Sequence, residues 1–534
     1  MRTPLLAIPC CFAVFSAFAA GEERAPSPET LSAELLAGQM IGVGIGASLP
    51  MPELERWVRD RAVGAVVLYR ASMPDAETVR ELTSAVHRMS PRPELTPLIA
   101  TDQEGGAVIR LAAAMLPGNL ALAATGSPEM AERAGRHVGC VLRQSGINVN
   151  FAPTIDVVPA GDPAGIGTRS FGSDPVETGR FAVAYVRGLD TANVLAVAKH
   201  FPGHGSASGD SHNSEPADSR PRAEIEADLI PFEAVIAGGV AGVMAGHVRY
   251  SNWRDTAGLP ASLSPAILRT LLRDELGFDG LIFTDVIHME GVAKLGGPGE
   301  LAVRAIEAGA DVVLASGYGD RQAAYGAILA AIRNGRLTCD RVHESVRRVL
   351  RAKSRAATPP PACTADPNLA NEVARSAITL LGDRKVLPIE VDEAFHVGIA
   401  GALADRFPTG RRVTLPVTLT KDLTDRFERE VRSRFDGRGP LVVSILNRSQ
   451  AELARRLRAE FPDVPLIVVV LGFPGDAAGI PATTFILAYN FLEPSQRAAV
   501  DVLAGKRCGP GRLPVDVPGL APAGAGDETC VSRR

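Results

Sequence analysis

From about residue 38 to residue 317 the chain repeats one pattern, in which a short apolar run rich in strand-forming residues precedes a stretch with apolar residues at helical spacing. Eight such runs occur, at 40–45, 65–69, 98–101, 149–153, 194–198, 242–245, 281–284 and 311–315. The helical stretches between them include 76–89, 128–145, 175–189, 222–236 and 265–276. Eight strands that alternate with helices predict an α/β fold, a closed parallel (β/α)8 barrel of the TIM type.

A second domain is expected after the barrel, because a chain of 534 residues is longer than one domain with a single hydrophobic core usually is. The segment 357–368 is rich in Pro, Ala and Thr and is typical of a linker. Beyond it, apolar runs at 396–400, 441–446, 466–471 and 484–488 alternate with helical stretches such as 449–460 and 494–503. We therefore expect the barrel at 28–356 and a C-terminal α/β sandwich domain at 369–534.

The N-terminus has the features of a secretory signal peptide over residues 1–20. Arg2 precedes an apolar run, and the small residues Ala17, Ala19 and Ala20 suit cleavage near residue 20. The apolar run is too short for a good transmembrane span, so no stable membrane span is expected. The sequence thus predicts an exported protein, periplasmic or secreted after cleavage.

Charge and cysteine content exclude two other classes of protein. The formal net charge of −4 leaves no basic surplus for nucleic acid. The cysteines that remain after cleavage match no metal-binding spacing, so no metal site is expected. In an oxidising compartment two bridges are possible, Cys339 with Cys363 and Cys508 with Cys530, and Cys140 would stay a buried thiol.

Polar residues follow the apolar runs at the points where an active site of a parallel barrel is expected. They are Asp102 after the third run, Asp156 after the fourth, Lys199 and His200 after the fifth, His247 after the sixth and Asp285 after the seventh. Active sites of such barrels lie at the C-terminal ends of the strands. Ionisable groups at one rim are costly unless they are used, so this ring predicts a catalytic site.

The segment after the fifth run carries a second polar group. Small residues at 203–209 form a loop that can bring Asp210 and His212 toward a ligand. A carboxylate two residues before an imidazole can fix its tautomer and favour its charged form. The pair therefore has the properties of a general acid/base that works near neutral pH.

Four motifs, in this order along the chain, resemble glycoside hydrolase family 3 and in particular its NagZ-like β-N-acetylglucosaminidase branch. They are Thr-Asp-Gln-Glu-Gly-Gly at 101–106 with Arg110, Arg-Ser-Phe-Gly at 169–172, the 199–212 segment, and Phe-Thr-Asp at 283–285 with Met-Glu-Gly at 289–291. Together they span the predicted barrel. Residues 377–381 and 511–514 also resemble the second domain of family members.

The resemblance implies a role for each site residue. Asp285 would be the nucleophile that forms a covalent glycosyl-enzyme, His212 the acid/base and Asp210 its orienting partner. Sugar-binding residues would be Asp102, Arg110, Arg169, Lys199 and His200. The implied enzyme is a retaining exo-β-N-acetylglucosaminidase that needs no metal or organic cofactor and acts on a small carbohydrate, from peptidoglycan fragments or chitin-type oligosaccharides.

Several alternatives stay open at this stage. The protein could be a β-glucosidase or β-xylosidase of the same family, a phosphorylase, or a catalytically silent sugar-binding protein. Among single residues, Arg169 has Asp174 nearby as a surface ion-pair partner. His204 and His247 are interpreted as groups that satisfy buried hydrogen bonds, and His288 as a packing residue.

Overall fold

The computed structural model describes residues 27–46, 49–159, 165–209, 214–359 and 362–526. Within them, eight parallel strands close into a barrel, which confirms the predicted fold class. The strands are β1 (Ile41–Ile45), β2 (Ala65–Leu68), β3 (Leu98–Thr101), β4 (Val149–Asn150), β5 (Leu195–Phe201), β6 (Gly242–Ala245), β7 (Leu281–Val286) and β8 (Val312–Ala315). Each strand pairs with its neighbours in chain order, and β1 pairs with β8.

Helices connect and surround these strands. They are α1 (Ala33–Gln39), α2 (Met51–Glu55), α3 (Ala76–Met89), α4 (Asn119–Ala124), α5 (Pro128–Gln144), α6 (Pro175–Asp190), α7 (Arg222–Ala227), α8 (Ile230–Ala237), α9 (Glu290–Ala293), α10 (Pro298–Ala308), α11 (Tyr318–Arg333) and α12 (Cys339–Ala357), with π-helical turns at Arg56–Asp60 and Ala266–Glu275. Local sequence explains several starts. The side chain of Asp174 accepts hydrogen bonds from two backbone N–H groups at the start of α6, and Pro175 occupies the first helical position.

Proline accounts for two departures from the predicted elements. The stretch 222–236 was expected to form one helix, but α7 and α8 are separate, and Pro231 occupies the first turn of α8. Proline lacks the N–H that a continuous helix would need there. The run 149–153 likewise supplies only a two-residue strand, because Pro153 cannot donate to the sheet.

Apolar side chains fill the inside of the barrel below its mouth. The rings of Phe151 and Phe283 pack edge to face with their centroids 5.2 Å apart. Both rings are almost fully buried, as are Val67 of β2 and Leu314 of β8. The barrel is therefore a packed core with a floor for a site at its mouth, rather than a pore.

The C-terminal part of the chain forms a six-stranded sheet among the described residues. Its strands are β9 (Thr379–Gly382), β10 (Phe395–Ile399), β11 (Arg412–Leu415), β12 (Leu441–Ile445), β13 (Leu466–Val470) and β14 (Thr484–Leu487), in the order β9-β14-β13-β12-β10-β11, and its helices are α13 (Leu369–Ala377), α14 (Lys421–Arg434), α15 (Arg448–Glu460) and α16 (Glu493–Leu503). Only β9 pairs antiparallel, with β14. The sequence did not predict β9 and β11 as apolar runs. Both lie at the edges of the sheet, where a strand has a neighbouring strand on one side only.

A disulfide joins the predicted linker segment to the barrel. Cys140 of α5 is bonded to Cys363, and the side-chain amide of Gln144 donates a hydrogen bond to the Cys363 carbonyl at 3.1 Å. The expected Cys339–Cys363 bridge is therefore wrong, and Cys140 is not a free thiol. That prediction paired cysteines that are near each other along the chain. Cys140 and Cys363 are 223 residues apart in the sequence and meet only because α5 lies against the linker in the folded protein. Cys530 lies outside the described residues, so its bridge to Cys508 stays a prediction.

Arg133 adds a second link between α5 and the start of the C-terminal part. Its guanidinium binds Asp366 at 2.9 Å and Glu372 at 2.6 Å. The predicted signal peptide, residues 1–20, lies outside the described residues. No described helix is long and apolar enough to cross a membrane.

The disulfide yields a direct test. Proteolysis of the oxidised protein should release one cross-linked pair of peptides that contains Cys140 and Cys363, as identified by mass spectrometry. The double variant Cys140→Ser with Cys363→Ser should lose about 3–5 kcal/mol of unfolding free energy, because the bridge closes a long loop in the unfolded chain. A Cys339–Cys363 cross-link would contradict the structure.

Candidate active site

A cavity of about 390 Å³ opens at the C-terminal ends of the barrel strands. It brings together six of the eight predicted site residues: Asp102, Arg110, Arg169, Lys199, His200 and Asp285. The other two, Asp210 and His212, lie outside the described residues. All described residues that line the cavity fall between positions 67 and 316, which places the site on the barrel.

Asp285 lies at the C-terminal end of β7, and its carboxylate accepts a hydrogen bond from the Val286 N–H at 2.7 Å. Burial would raise the pKa of this carboxyl group. The charges of His247 and His200, the Val286 N–H and Lys199 outweigh that effect and hold the pKa below its ordinary value of 3.8. Asp285 is therefore an ionised carboxylate in the wall of the cavity.

Lys199 connects two carboxylates at the closed end of the cavity. Its ammonium group lies 2.7 Å from an oxygen of Asp102 and 2.7 Å from an oxygen of Glu104. Glu104 also accepts two hydrogen bonds from Arg169, at 2.8 and 2.9 Å. Arg169 is thus mostly shielded from solvent and paired with Glu104, so the alternative of a surface ion pair with Asp174 is wrong.

Glu104 is a site residue that sequence reasoning missed. Burial opposes its ionisation, but the charges of Arg169 and Lys199 hold its pKa far below the ordinary value of 4.5. In return, the carboxylates of Asp102 and Glu104 raise the pKa of Lys199 despite burial. The position of Glu104, two residues after Asp102 in the same motif, was a signal that could have identified it.

His200 is positioned by a buried carboxylate, Asp156. The two side chains lie 2.7 Å apart, and Asp156 also accepts hydrogen bonds from the backbone N–H groups of His200 and His204. The pairing of β5 with β6 shifts register between Lys199 and Phe201. Such a bulge re-aims side chains, and consecutive Lys199 and His200 both reach the cavity.

The opposite wall of the cavity carries a hydrogen-bonded pair, Tyr69 and Ser316, whose hydroxyl oxygens are 2.7 Å apart. Burial raises the pKa of Tyr69 to about 12, and the negative charges of Asp102 and Asp285 act in the same direction. Tyr69 therefore stays a neutral hydroxyl group. Neither residue stood out in the sequence, because a tyrosine and a serine at strand ends carry no distinctive spacing.

The expectations for the other histidines are met in part. His247 satisfies hydrogen bonds with the Ser262 hydroxyl at 2.7 Å and the Val286 carbonyl at 3.1 Å, as interpreted. It nevertheless also lowers the pKa of Asp285. Within the described residues no group of three or more His, Cys, Asp or Glu side chains is arranged to hold a metal ion.

The flanks of the segment that carries Asp210 and His212 are anchored at the barrel mouth. The two flanks bond to each other, since the Ser208 N–H donates to the Ala217 carbonyl at 2.8 Å. Glu215 then forms ion pairs with Arg249 at 2.6 Å and Lys294 at 2.9 Å. Arg249 follows β6 and Lys294 follows β7, so the described ends of this segment are tied to the strand ends that frame the cavity.

The C-terminal part of the chain contacts the cavity wall from outside. Gly106 has φ +58°, and a β-carbon there would lie 3.2 Å from the side-chain nitrogen of Asn490. The Arg512 N–H also donates to the Ala124 carbonyl at 2.8 Å. Asn490 thus lies close to the Gly105–Gly106 turn, which follows Asp102 and Glu104.

Residues 33–352 match the family model described as the glycosyl hydrolase family 3 N terminal domain. The match covers more than half of the chain and the whole barrel. The chain therefore belongs to glycosyl hydrolase family 3, and it is an enzyme of the glycoside hydrolase class.

Three relatives show how far the similarity extends. The β-hexosaminidase of Stenotrophomonas maltophilia (strain K279a) is 36% identical over 284 residues, which cover 52% of this chain and 82% of that protein. The β-hexosaminidase of Xylella fastidiosa (strain 9a5c) is 38% identical over 284 residues, with the same coverage of both proteins. A family 3 β-N-acetylglucosaminidase from Paenibacillus sp. str. FPU-7 has 31% sequence identity and a TM-score of 0.82, covering 92% of this chain and 100% of that one.

Glu104 should be essential for the stability of the site. The variant Glu104→Gln leaves Arg169 without its carboxylate partner and Lys199 with one carboxylate instead of two, in a buried environment. We expect a loss of about 3–5 kcal/mol in the unfolding free energy, measured by urea denaturation. The control Glu94→Gln breaks the partly exposed pair with Arg92 and should cost less than about 1 kcal/mol. Equal effects of the two variants would contradict the assignment.

Proposed function

We propose that the protein is a retaining exo-β-N-acetylglucosaminidase, which removes terminal β-linked N-acetylglucosamine through a covalent intermediate on Asp285. The observation that carries the proposal is the ionised Asp285 carboxylate at the end of β7, in one small cavity with Asp102, Lys199 and His200. The printed names of the relatives, β-hexosaminidase and β-N-acetylglucosaminidase, support the choice of an acetamido sugar.

Asp285 has the properties of the nucleophile. An oxocarbenium-like transition state gains positive charge at the anomeric carbon, which a fixed carboxylate stabilises and then attacks. One oxygen of Asp285 is oriented by the Val286 N–H. The neighbouring cationic groups keep the carboxylate ionised, so it is ready to attack without prior loss of a proton.

The buried glutamate of the described cavity wall does not suit the role of general acid. Glu104 is committed to two cations and its lowered pKa keeps it ionised, so it has no proton to donate. Asp102 accepts a hydrogen bond from Lys199. This arrangement supports the assignment of the acid/base role to His212, oriented by Asp210, as the family resemblance implies. The anchored flanks of their segment, at Ser208 and Glu215, are at the same barrel mouth.

The remaining residues suit the binding of one sugar ring. The carboxylate of Asp102 can accept hydrogen bonds from hydroxyl groups of the sugar. The hydrogen-bond donors for the oxygen atoms of the sugar are Arg110, Arg169, Lys199 and His200. A cavity of about 390 Å³ lies near the lower end of the range for ligand pockets, about 300–1,000 Å³. This supports exo-action on short ligands, peptidoglycan fragments or chitin-type oligosaccharides.

Export of the protein is part of the proposal. It rests on the signal-peptide pattern of residues 1–20. The Cys140–Cys363 disulfide supports it, because disulfides persist in oxidising compartments such as the periplasm.

The first test compares substrates. The purified protein should hydrolyse nitrophenyl β-N-acetylglucosaminide faster than the matching β-glucoside, with the β-anomer as the first product. Faster turnover of the glucoside would favour a β-glucosidase instead. A rate that requires inorganic phosphate, with sugar phosphate as product, would favour a phosphorylase. Turnover of neither glycoside would favour a sugar-binding protein.

The second test concerns the nucleophile. Asp285→Asn should lower kcat by a factor on the order of 10³ or more, because the amide cannot form the glycosyl-enzyme. The control Asp279→Asn removes an exposed carboxylate that pairs with Arg348 and Arg351, and it should retain activity. Mass spectrometry of enzyme quenched during turnover should find one N-acetylglucosaminyl group on the peptide that carries Asp285. Its attachment elsewhere would contradict the mechanism.

The pH profile provides a third test. The carboxylate of Asp285 is the active form, so a lowered pKa keeps the enzyme active at lower pH. The acidic midpoint of kcat/KM should therefore lie below 3.8. His247→Asn removes the largest charge effect that lowers this pKa, so the midpoint should move to higher pH. The control His343→Asn changes a histidine on α12 whose ring lies near Glu29, and it should leave the midpoint unchanged. An unshifted midpoint in His247→Asn would contradict the role of its charge.

A further inference from the structure

His288 is the unusual group in the wall of the active-site cavity. It follows Asp285 by three residues and lines the same cavity. Its side chain is 47% exposed, whereas those of Arg110, Arg169 and Lys199 are 28%, 18% and 2% exposed. The interpretation of His288 as a packing residue is therefore wrong, because an exposed imidazole contributes little to packing. His288 lies on the open side of the cavity.

Asp320 holds the ring of His288. Their Nδ1 and Oδ2 atoms lie 3.2 Å apart. Asp320 lies in the first turn of α11, where the helix dipole stabilises a carboxylate. A carboxylate at Nδ1 keeps a proton on that nitrogen, which leaves Nε2 as the nitrogen that can meet a ligand. Among the described residues, no partner of Nε2 is found.

The position of the pair indicates which part of a substrate it meets. In the proposed exo-glycosidase, the glycone ring occupies the closed end of the cavity, beside Lys199 and Asp102. The leaving part of the substrate, the aglycone, departs from the face of the sugar opposite Asp285 and extends toward the open, solvent side of the cavity. His288 is the ionisable group of the described wall that is exposed on that side.

The charges of the wall indicate the chemistry of the aglycone. Lys199 pairs with Asp102 and Glu104, and Arg169 pairs with Glu104. Arg110 lies 3.9 Å from Asp102. Because His288 also has its own carboxylate, the described part of the rim presents no cation without a carboxylate neighbour. It offers a hydrogen-bonding nitrogen at the edge of a polar cavity, which suits a hydroxyl group.

We propose that His288, oriented by Asp320, is a specificity residue that binds a hydroxyl group of a neutral second sugar ring on the aglycone side. This inference rests on the proposed function and deepens it, since it names the class of aglycone. It predicts that the enzyme distinguishes a disaccharide from a glycoside whose leaving group has no hydroxyl groups.

The test uses the full-length protein and two substrates. The variant His288→Ala should lower kcat/KM for N,N′-diacetylchitobiose about tenfold, the effect of one lost hydrogen bond of upper-range strength. The same variant should change kcat/KM for nitrophenyl β-N-acetylglucosaminide by less than about twofold, because its aromatic ring carries no hydroxyl group. His288→Gln, which keeps a hydrogen-bonding group near the Nε2 position, should recover part of the loss. Asp320→Asn should lower disaccharide turnover selectively, because it weakens the orientation of the ring.

The controls separate this inference from the proposed function. His343→Ala removes a histidine that also pairs with a carboxylate, Glu29, but lies on α12 away from the cavity, and it should affect neither substrate. A His288→Ala variant that loses activity equally on both substrates, or on neither, would overturn the aglycone assignment. If the unmodified enzyme turned over neither substrate, the proposed function itself would fail.

Discussion

The buried ion cluster of Glu104, Arg169, Lys199 and Asp102 is the interaction on which the site depends. It joins the segment after β3, the segment before α6 and the end of β5 through contacts of 2.7 to 2.8 Å. Two cations and two carboxylates in so little water are stable only when they are paired. The cluster therefore sets both the shape and the charge of the closed end of the cavity, where the glycone is proposed to bind.

Asp285 depends on the same balance of charges. With Asp102 and Glu104 neutralised by their partners, the cationic influence of His247, His200 and Lys199 outweighs burial and keeps Asp285 ionised. A carboxylate that is already charged and already oriented reacts without reorganising its surroundings. The proposed acid/base pair, Asp210 and His212, can then supply the proton from a separate segment.

The C-terminal part contacts the barrel without lining the described cavity. Asn490 packs against the Gly105–Gly106 turn, while Arg133 and the Cys140–Cys363 disulfide tie α5 to the chain that follows the barrel. The turn needs positive φ values, which glycine adopts readily, and the close approach of the Gly118 backbone and of Asn490 leaves little room for a side chain at Gly106. The described contacts of the second domain are thus with the outside of the barrel.

The amino-acid sequence determined the eight apolar runs, their alternation with helices, and the polar residues at the strand ends. These features depend on local periodicity, which a single strand or helix carries in its own residues. They were sufficient to predict the barrel and to place Asp102, Lys199, His200 and Asp285 at one mouth. Only the tertiary structure decided the partners of these residues. Arg169 binds Glu104 rather than Asp174, Cys140 binds Cys363, and His288 is exposed beside Asp320. Each of these pairings depends on which distant segments of the chain meet. It also depends on burial, because a charged group shielded from water needs a partner of opposite charge. The spacing of residues along the chain shows neither property.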